Sequence, residues 1–111
     1  MNFITYDVSL ELLQALAEPV GRIGRCDRSL ADQVRRASQS IVLCIAEGAQ
    51  RVGRDRLHLY RVAAGSAAEV RAGLAIAKAW RYLAEPDLAQ VEALLDRVIA
   101  LLWRLTHRKG A

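Results

Sequence analysis

Arg36 and Glu47 offer the first chemistry in this chain. They stand eleven residues apart, three turns if the segment is helical, so a guanidinium and a carboxylate face the same way. Glu69, in a second helical stretch, is placed to meet one of them across a helix pair. Arg35, Arg36, Glu47 and Glu69 could then form a ligand or phosphate site. The other reading is a polar network that fixes helix register or a subunit contact. Ser66 has no strand-turn-helix elbow and no partner histidine around it, so it is not assigned as a nucleophile. His58 follows Asp55 by three positions, a spacing that can ligate a metal on a helix. Di-metal bundles need two Glu-x-x-His pairs, and neither His58 nor His107 has Glu three positions before it. No Gly-rich phosphate loop appears either. No catalytic residue, metal site or cofactor is assigned, and the chain reads as non-enzymatic.

Binding is better supported than catalysis. The net charge is +4, and only Lys78 and Lys109 are lysines among the 16 basic residues. Arginine suits phosphate and carboxylate because its planar fork holds two oxygens at once. From Arg22 to Arg61 nine arginines stand against Asp27, Asp32, Glu47 and Asp55, a net of +5, while the first 21 residues carry a net of −3. Arg51, Arg54 and Arg56 crowd a short connection, Arg61 follows one to two turns on, and Arg35 lies in the preceding helix. At a helix start such groups can hold phosphates together with free backbone N–H groups. RNA or DNA is one partner that fits. Acidic protein surfaces, or a plain solvated arginine-rich surface, fit the same charge. His58 and Tyr60 could stack on bases, although Tyr60 also suits a core position.

The elements that must position these residues are helices. Ala, Leu, Arg and Glu dominate, with 7 Gly and 2 Pro, and period-two runs of β-branched residues are missing. The pattern predicts an all-α, up-down-up-down four-helix bundle over residues 1–111, one domain. Helix 1 is expected to start near Asp7, capped by Asp7 and Thr5, and to kink or stop around Pro19, Gly21 and Gly24. Helix 2 starts at Asp27 or Ser29 with the stripe Leu30, Val34, Ala37, Ile41, Ile45 and Gly48. Helix 3 runs from Arg54 or Asp55 to about Leu83, with two sides that can each touch a neighbour. Glu85-Pro86-Asp87 breaks the chain, with Asp87 as cap, and helix 4 carries Leu88, Val91, Leu95, Val98 and Leu102. The tail from Thr106 is basic and expected to fray. Gly65 inside helix 3 costs roughly 1 kcal/mol against Ala and calls for a close helix crossing. Surplus apolar surface on helices 3 and 4, with Trp80 and Trp103 near helix ends, predicts a self-association face.

Cys44 lies in an apolar run and is expected to be a buried thiol, and Cys26 with Cys44 forms neither a metal motif nor a disulfide framework. The N-terminus lacks the pattern of a signal peptide, and the run Ile41 to Ala46 is too short to span a bilayer. A cytoplasmic, reduced protein with no membrane partner is expected.

The segments Gln33 to Gly48 and Ala63 to Glu69 resemble the four-helix bundle family often called the 23S ribosomal RNA intervening-sequence proteins. That family's pattern runs Gln-x-x-Arg-Ala, Ser-Ile, Asn-Ile-Ala-Glu-Gly and Ala-x-Gly-Ser-x-x-Glu. Gln33, Arg36, Ala37, Ser40, Ile41, Ile45, Ala46, Glu47, Gly48, Ala63, Gly65, Ser66 and Glu69 match it. Cys44 stands where the family usually has Asn, so a hydrogen bond from that Asn is absent. The stretch before Asp27 is shorter than in the family pattern. The resemblance implies a bacterial homo-oligomer, commonly a pentameric ring, with Gln33, Arg36, Glu47, Ser66 and Glu69 as the motif's polar set. It also implies kinship with accessory proteins of diversity-generating retroelements, which bind nucleic acid and a reverse transcriptase. A nucleic-acid-processing protein is therefore a further expected partner. Fold kinship is analogy, and none of this names an activity.

Overall fold

Residues that lose little side-chain freedom in a helix make up most of this chain, and four helices result. The computed structural model describes residues 3–107. Helix α1 spans Phe3–Cys26, α2 Arg28–Ala49, α3 Gly53–Ala79 and α4 Glu85–Thr106, with no strand among the described residues. Each helix packs against two others: α1 lies on α2 and α4, and α3 lies on α2 and α4. With such short connections, the arrangement is the expected up-down-up-down bundle, 44 × 23 × 20 Å.

Several boundaries differ from the sequence reading. Helix α1 begins at Phe3, so Thr5 and Asp7 lie inside it rather than at its N-cap. Thr5, Val8 and Ser9 are buried there, and burial on the bundle outweighs a local cap preference. Helix α1 also does not stop at Pro19, Gly21 or Gly24 but continues to Cys26. An interior proline costs about 3 kcal/mol, but Leu16, Val20 and Ile23 are all buried around it, each adding about 1.5–3 kcal/mol of apolar burial. Asp27 alone then joins α1 to α2. It is the N-cap of α2, its Oδ1 accepting the Leu30 N–H at 3.0 Å.

Helix α3 opens at Gly53, whose φ of +59° is one that glycine adopts without strain. It ends at Ala79, short of Leu83, because the chain turns left-handed at Arg81, φ 65°. The Tyr82 N–H reaches the Ala77 carbonyl at 2.9 Å and the Arg81 N–H the Lys78 carbonyl at 3.0 Å, which closes the helix end. Asp87 is not the N-cap of α4. Ala84 holds that place, and Asp87 sits in the first turn with its Oδ2 accepting the Ala84 N–H at 2.9 Å. This is half of a capping box, since Ala84 has no side-chain acceptor.

One hydrophobic core runs through all four helices, centred on Leu12, Ile23, Ile41, Ile45, Leu74, Leu88, Leu95 and Leu102. The predicted α2 stripe is buried throughout. On α3, Tyr60, Ala67 and Leu74 are buried on one side and Ser66, Val70, Gly73 and Ala77 on the other, so α3 serves two neighbours as its small residues suggested.

Candidate functional site

Helices α2 and α3 run antiparallel along a tight seam. A Cβ on Gly48 would meet the Tyr60 ring at 2.7 Å, and one on Gly73 would meet Val34 at 2.6 Å. Between these contacts the Ser66 hydroxyl donates to Ser40 Oγ at 2.9 Å. The outer edges of the seam are open. Gln33, Arg36, Leu43 and Glu47 on α2 repeat at intervals of three, four and seven, as do Val62, Gly65, Glu69 and Ile76 on α3, and all eight are exposed. Leu43 is 67% exposed, Ile76 44% and Val62 37%.

The polar set Gln33, Arg36, Glu47, Ser66 and Glu69 therefore forms no network inside the chain. Only Ser66 is buried. Glu47 pairs with Arg51 at 3.6 Å. The side chains of Gln33, Arg36 and Glu69 make no hydrogen bond or ion pair with another described residue. Cys44 is half-buried, its Sγ 3.8 Å from Ser40 Oγ, and Cys26 is exposed.

The five arginines named as a nucleic-acid surface divide into two groups. Arg35 pairs with Asp32 at 2.9 Å. Arg51 bridges Glu47 and, at 3.9 Å, Asp55. Arg56 turns back on the end of α2, its Nε donating to the Gly48 carbonyl at 3.2 Å and its Nη2 to the Ala49 carbonyl at 3.3 Å. It adds guanidinium donors at the end of α2, where the Gly48 carbonyl also accepts the Arg51 N–H at 3.0 Å. Arg54 and Arg61 are exposed, and their guanidinium groups have no partner among the described residues. His58 is exposed and Tyr60 is buried, so the tyrosine belongs to the core. No group of three or more His, Cys, Asp or Glu side chains that could hold a metal occurs among the described residues. No described helix is long and apolar enough to cross a membrane.

The family model of the 23S rRNA-intervening sequence proteins matches residues 3–104. The chain belongs to that family. No curated protein matches it. Among solved structures it is similar to a protein of unknown function from the S23 ribosomal protein family of Bacteroides thetaiotaomicron. Identity is 19%, 93% of this chain and 98% of that one are covered, and the TM-score is 0.83. That likeness concerns the fold.

For this member of the 23S rRNA-intervening sequence protein family, the shifted titrations lie away from the motif, around the α3–α4 loop. Hydrogen bonds to Glu92 and Glu85 raise the Lys78 pKa above its ordinary value. The Ala84 N–H and then Arg22, 3.0 Å away, hold Asp87 below the usual carboxylate range. Burial, then the charge of Asp27, pushes the Tyr82 hydroxyl up. Lys78 and Asp87 have structural partners that account for their shifts, and Tyr82 is shifted first by its burial. The sequence reading missed the Ser40–Ser66 bond, the tie from the Tyr82 hydroxyl to Asp27 Oδ2 at 3.4 Å and the role of Arg56. Arg51 and Arg35 carried legible signals, Arg51 with acidic residues four positions away on either side and Arg35 with Asp32 three positions before it.

Proposed function

We propose that the chain is a non-enzymatic, self-assembling helical bundle of the bacterial cytoplasm that binds nucleic acid through exposed arginines. The observation that carries this reading is the outer face of α2 and α3. Leu43, Val62 and Ile76 are apolar and exposed there, and Arg36 and Glu69 bring opposite charges that lack partners among the described residues. Gly65 lies in the same face with nothing within 4 Å of the place a Cβ would take. A mid-helix glycine costs about 1 kcal/mol against Ala, and no neighbour among the described residues calls for it. Close approach by a second copy does. A closed ring, with a pentamer favoured, would repeat Arg54 and Arg61 around its rim and raise avidity without strong single contacts.

The family's description refers to 23S rRNA, which makes RNA the first ligand to try. Light scattering of the purified protein followed by a salt-titrated RNA-binding assay tests the proposal. A multimer whose RNA affinity falls steeply with salt is expected. A strict monomer at high concentration, or RNA affinity that is absent or insensitive to salt, counts against it.

The commitment of Arg35, Arg51 and Arg56 to partners within the chain favours a second reading, a protein-interaction scaffold without nucleic-acid binding. Here the free arginines would meet acidic protein surfaces, including those of a nucleic-acid-processing protein. Pull-down before and after nuclease treatment separates the two, since only a nucleic-acid bridge is lost.

A further inference from the structure

One end of the bundle joins α1 to α2 and α3 to α4, and its charge is not balanced among the described residues. Its carboxylates are all engaged. Asp27 accepts the Leu30 N–H through Oδ1 and the Tyr82 hydroxyl through Oδ2. Asp87 accepts the Ala84 N–H and pairs with Arg22, and Glu85 pairs with Lys78 at 3.3 Å. Arg25, Arg28 and Arg81 are exposed at the same end, and their guanidinium groups have no hydrogen bond or ion pair to any described residue. Beside Arg81 stands Trp80, 67% exposed.

Trp80 and Arg81 sit on backbone that is fixed. The Trp80 N–H bonds to the Ile76 carbonyl at 2.9 Å, and the Arg81 and Tyr82 N–H groups close the helix end. The Tyr82–Asp27 bond ties this loop to the α1–α2 turn. Arg81 holds a left-handed φ of 65°, where glycine would be at ease. Such residues persist when their surroundings over-determine them, and they cluster at binding sites.

We propose that this end is a single-stranded nucleic-acid site, in which a base stacks on the Trp80 indole and Arg25, Arg28 and Arg81 hold the neighbouring phosphates. The proposal rests on the nucleic-acid reading above and adds to it a ligand class and a second contact region. Helix α3 separates this region from Arg54 by about 40 Å, at 1.5 Å per residue. An exposed aromatic at the same end as guanidinium groups that pair with no described residue is the combination that binds unpaired bases and backbone together. A duplex hides its base faces and offers the indole nothing to stack on.

The chain contains two tryptophans, which gives a direct probe. Trp103 is exposed near the end of α4, stacked on His107 at 4.3 Å between ring centroids. In W103F, Trp80 is the sole tryptophan reporter. Titration with short oligouridine should quench its emission saturably, and salt should reverse the quenching. A duplex of equal length should not quench it. In parallel, anisotropy of fluorescein-labelled oligouridine should show W80A binding roughly ten- to a hundredfold more weakly. The R28A/R81A variant should lose about one unit of log–log salt slope per guanidinium removed. Circular dichroism melts of W80A and R28A/R81A check that the fold is kept. Oligouridine that binds by anisotropy while Trp80 emission stays constant, or while W80A binds as the parent does, overturns this site and leaves the proposed function standing. No binding even at low salt removes both. Trp80 emission that changes on dilution alone, without oligouridine, assigns the indole to a contact between copies and also overturns the site.

Discussion

Val34 and Gly73 set how closely α2 and α3 approach: a Cβ on residue 73 would stand 2.6 Å from Val34 Cγ2. Both residues are buried, and valine has no flexible end to swing away. Gly73→Ala should therefore destabilise the bundle by about 1–3 kcal/mol through overpacking. Val34→Ala alone should cost about 2 kcal/mol by leaving a cavity. Together they should cost clearly less than the two added, because the new methyl occupies the space the valine vacates. Urea unfolding of the three variants measures this, and strict additivity would contradict the packing described.

Gly65 is the counter-case. Nothing lies within 4 Å of its absent Cβ, so Gly65→Ala should raise the stability of a dilute, dissociated bundle by about 0.5–1 kcal/mol. If the α2–α3 face meets another copy there, the same methyl should shift assembly to higher concentration. Thermal melts at low concentration and light scattering at high concentration give the two readings. Unchanged assembly in Gly65→Ala and in the bulkier Gly65→Leu would remove Gly65 from the contact.

Arg56 ties the start of α3 to the end of α2. Its removal leaves the Gly48 and Ala49 carbonyls without their guanidinium donors. Arg56→Ala should cost about 1.5–3 kcal/mol, the range for hydrogen bonds to a charged group. Arg54→Ala and Arg61→Ala should leave stability within about 0.5 kcal/mol, as surface changes do. Their effect should appear in the salt dependence of RNA binding. A stability loss for Arg54→Ala equal to that of Arg56→Ala would mean that the two arginines are not divided in this way.

Contrasts of this kind show what the sequence could reveal. The helices were legible because Leu30, Val34, Ala37, Ile41 and Ile45 repeat at helical spacing, and periodicity survives without any knowledge of neighbours. The start of α1 was not. Asp7 and Thr5 carry a local cap signal, but the burial of Thr5 and Ser9 comes from helices far along the chain. The arginine surface was half legible for the same reason. A sequence counts guanidinium groups, whereas their partners are set by the fold, and the acceptors of Arg56 are carbonyls seven and eight residues back. Ser40 and Ser66 are 26 residues apart, and only the antiparallel register of α2 and α3 makes them a pair. Glu47 and Glu69 were set out as one network because both are charged residues inside helical motifs. The helix faces point them outward instead, which moves the question from the chain to whatever covers that face.

Asp87 should make part of the stability acid-labile. Its folded pKa lies below the ordinary value because the Ala84 N–H and Arg22 favour the carboxylate. A depressed folded pKa contributes stability above the unfolded value, about 3.9. That contribution is lost as pH falls through the folded pKa. The gap in urea midpoint between the parent and Asp87→Asn should be constant from neutral pH down to about pH 5 and close below about pH 4. A gap that persists unchanged to pH 2 would mean that ionisation of Asp87 contributes nothing to folding.

Arg81 separates stability from binding at a single position. A left-handed conformation costs an L-residue about 1–2 kcal/mol, which glycine does not bear. Glycine also loses more chain entropy on folding, about 0.5–1 kcal/mol. Arg81→Gly should therefore stabilise the bundle by about 0.5–1 kcal/mol. Arg81→Ala keeps the strain and should leave stability nearly unchanged. Both variants remove the guanidinium, so both should weaken oligouridine binding alike if Arg81 holds phosphate. A thermal melt beside a binding titration reads both quantities on the same protein. A more stable Arg81→Gly that binds as tightly as the parent would leave the left-handed arginine a strained turn with no ligand to account for it.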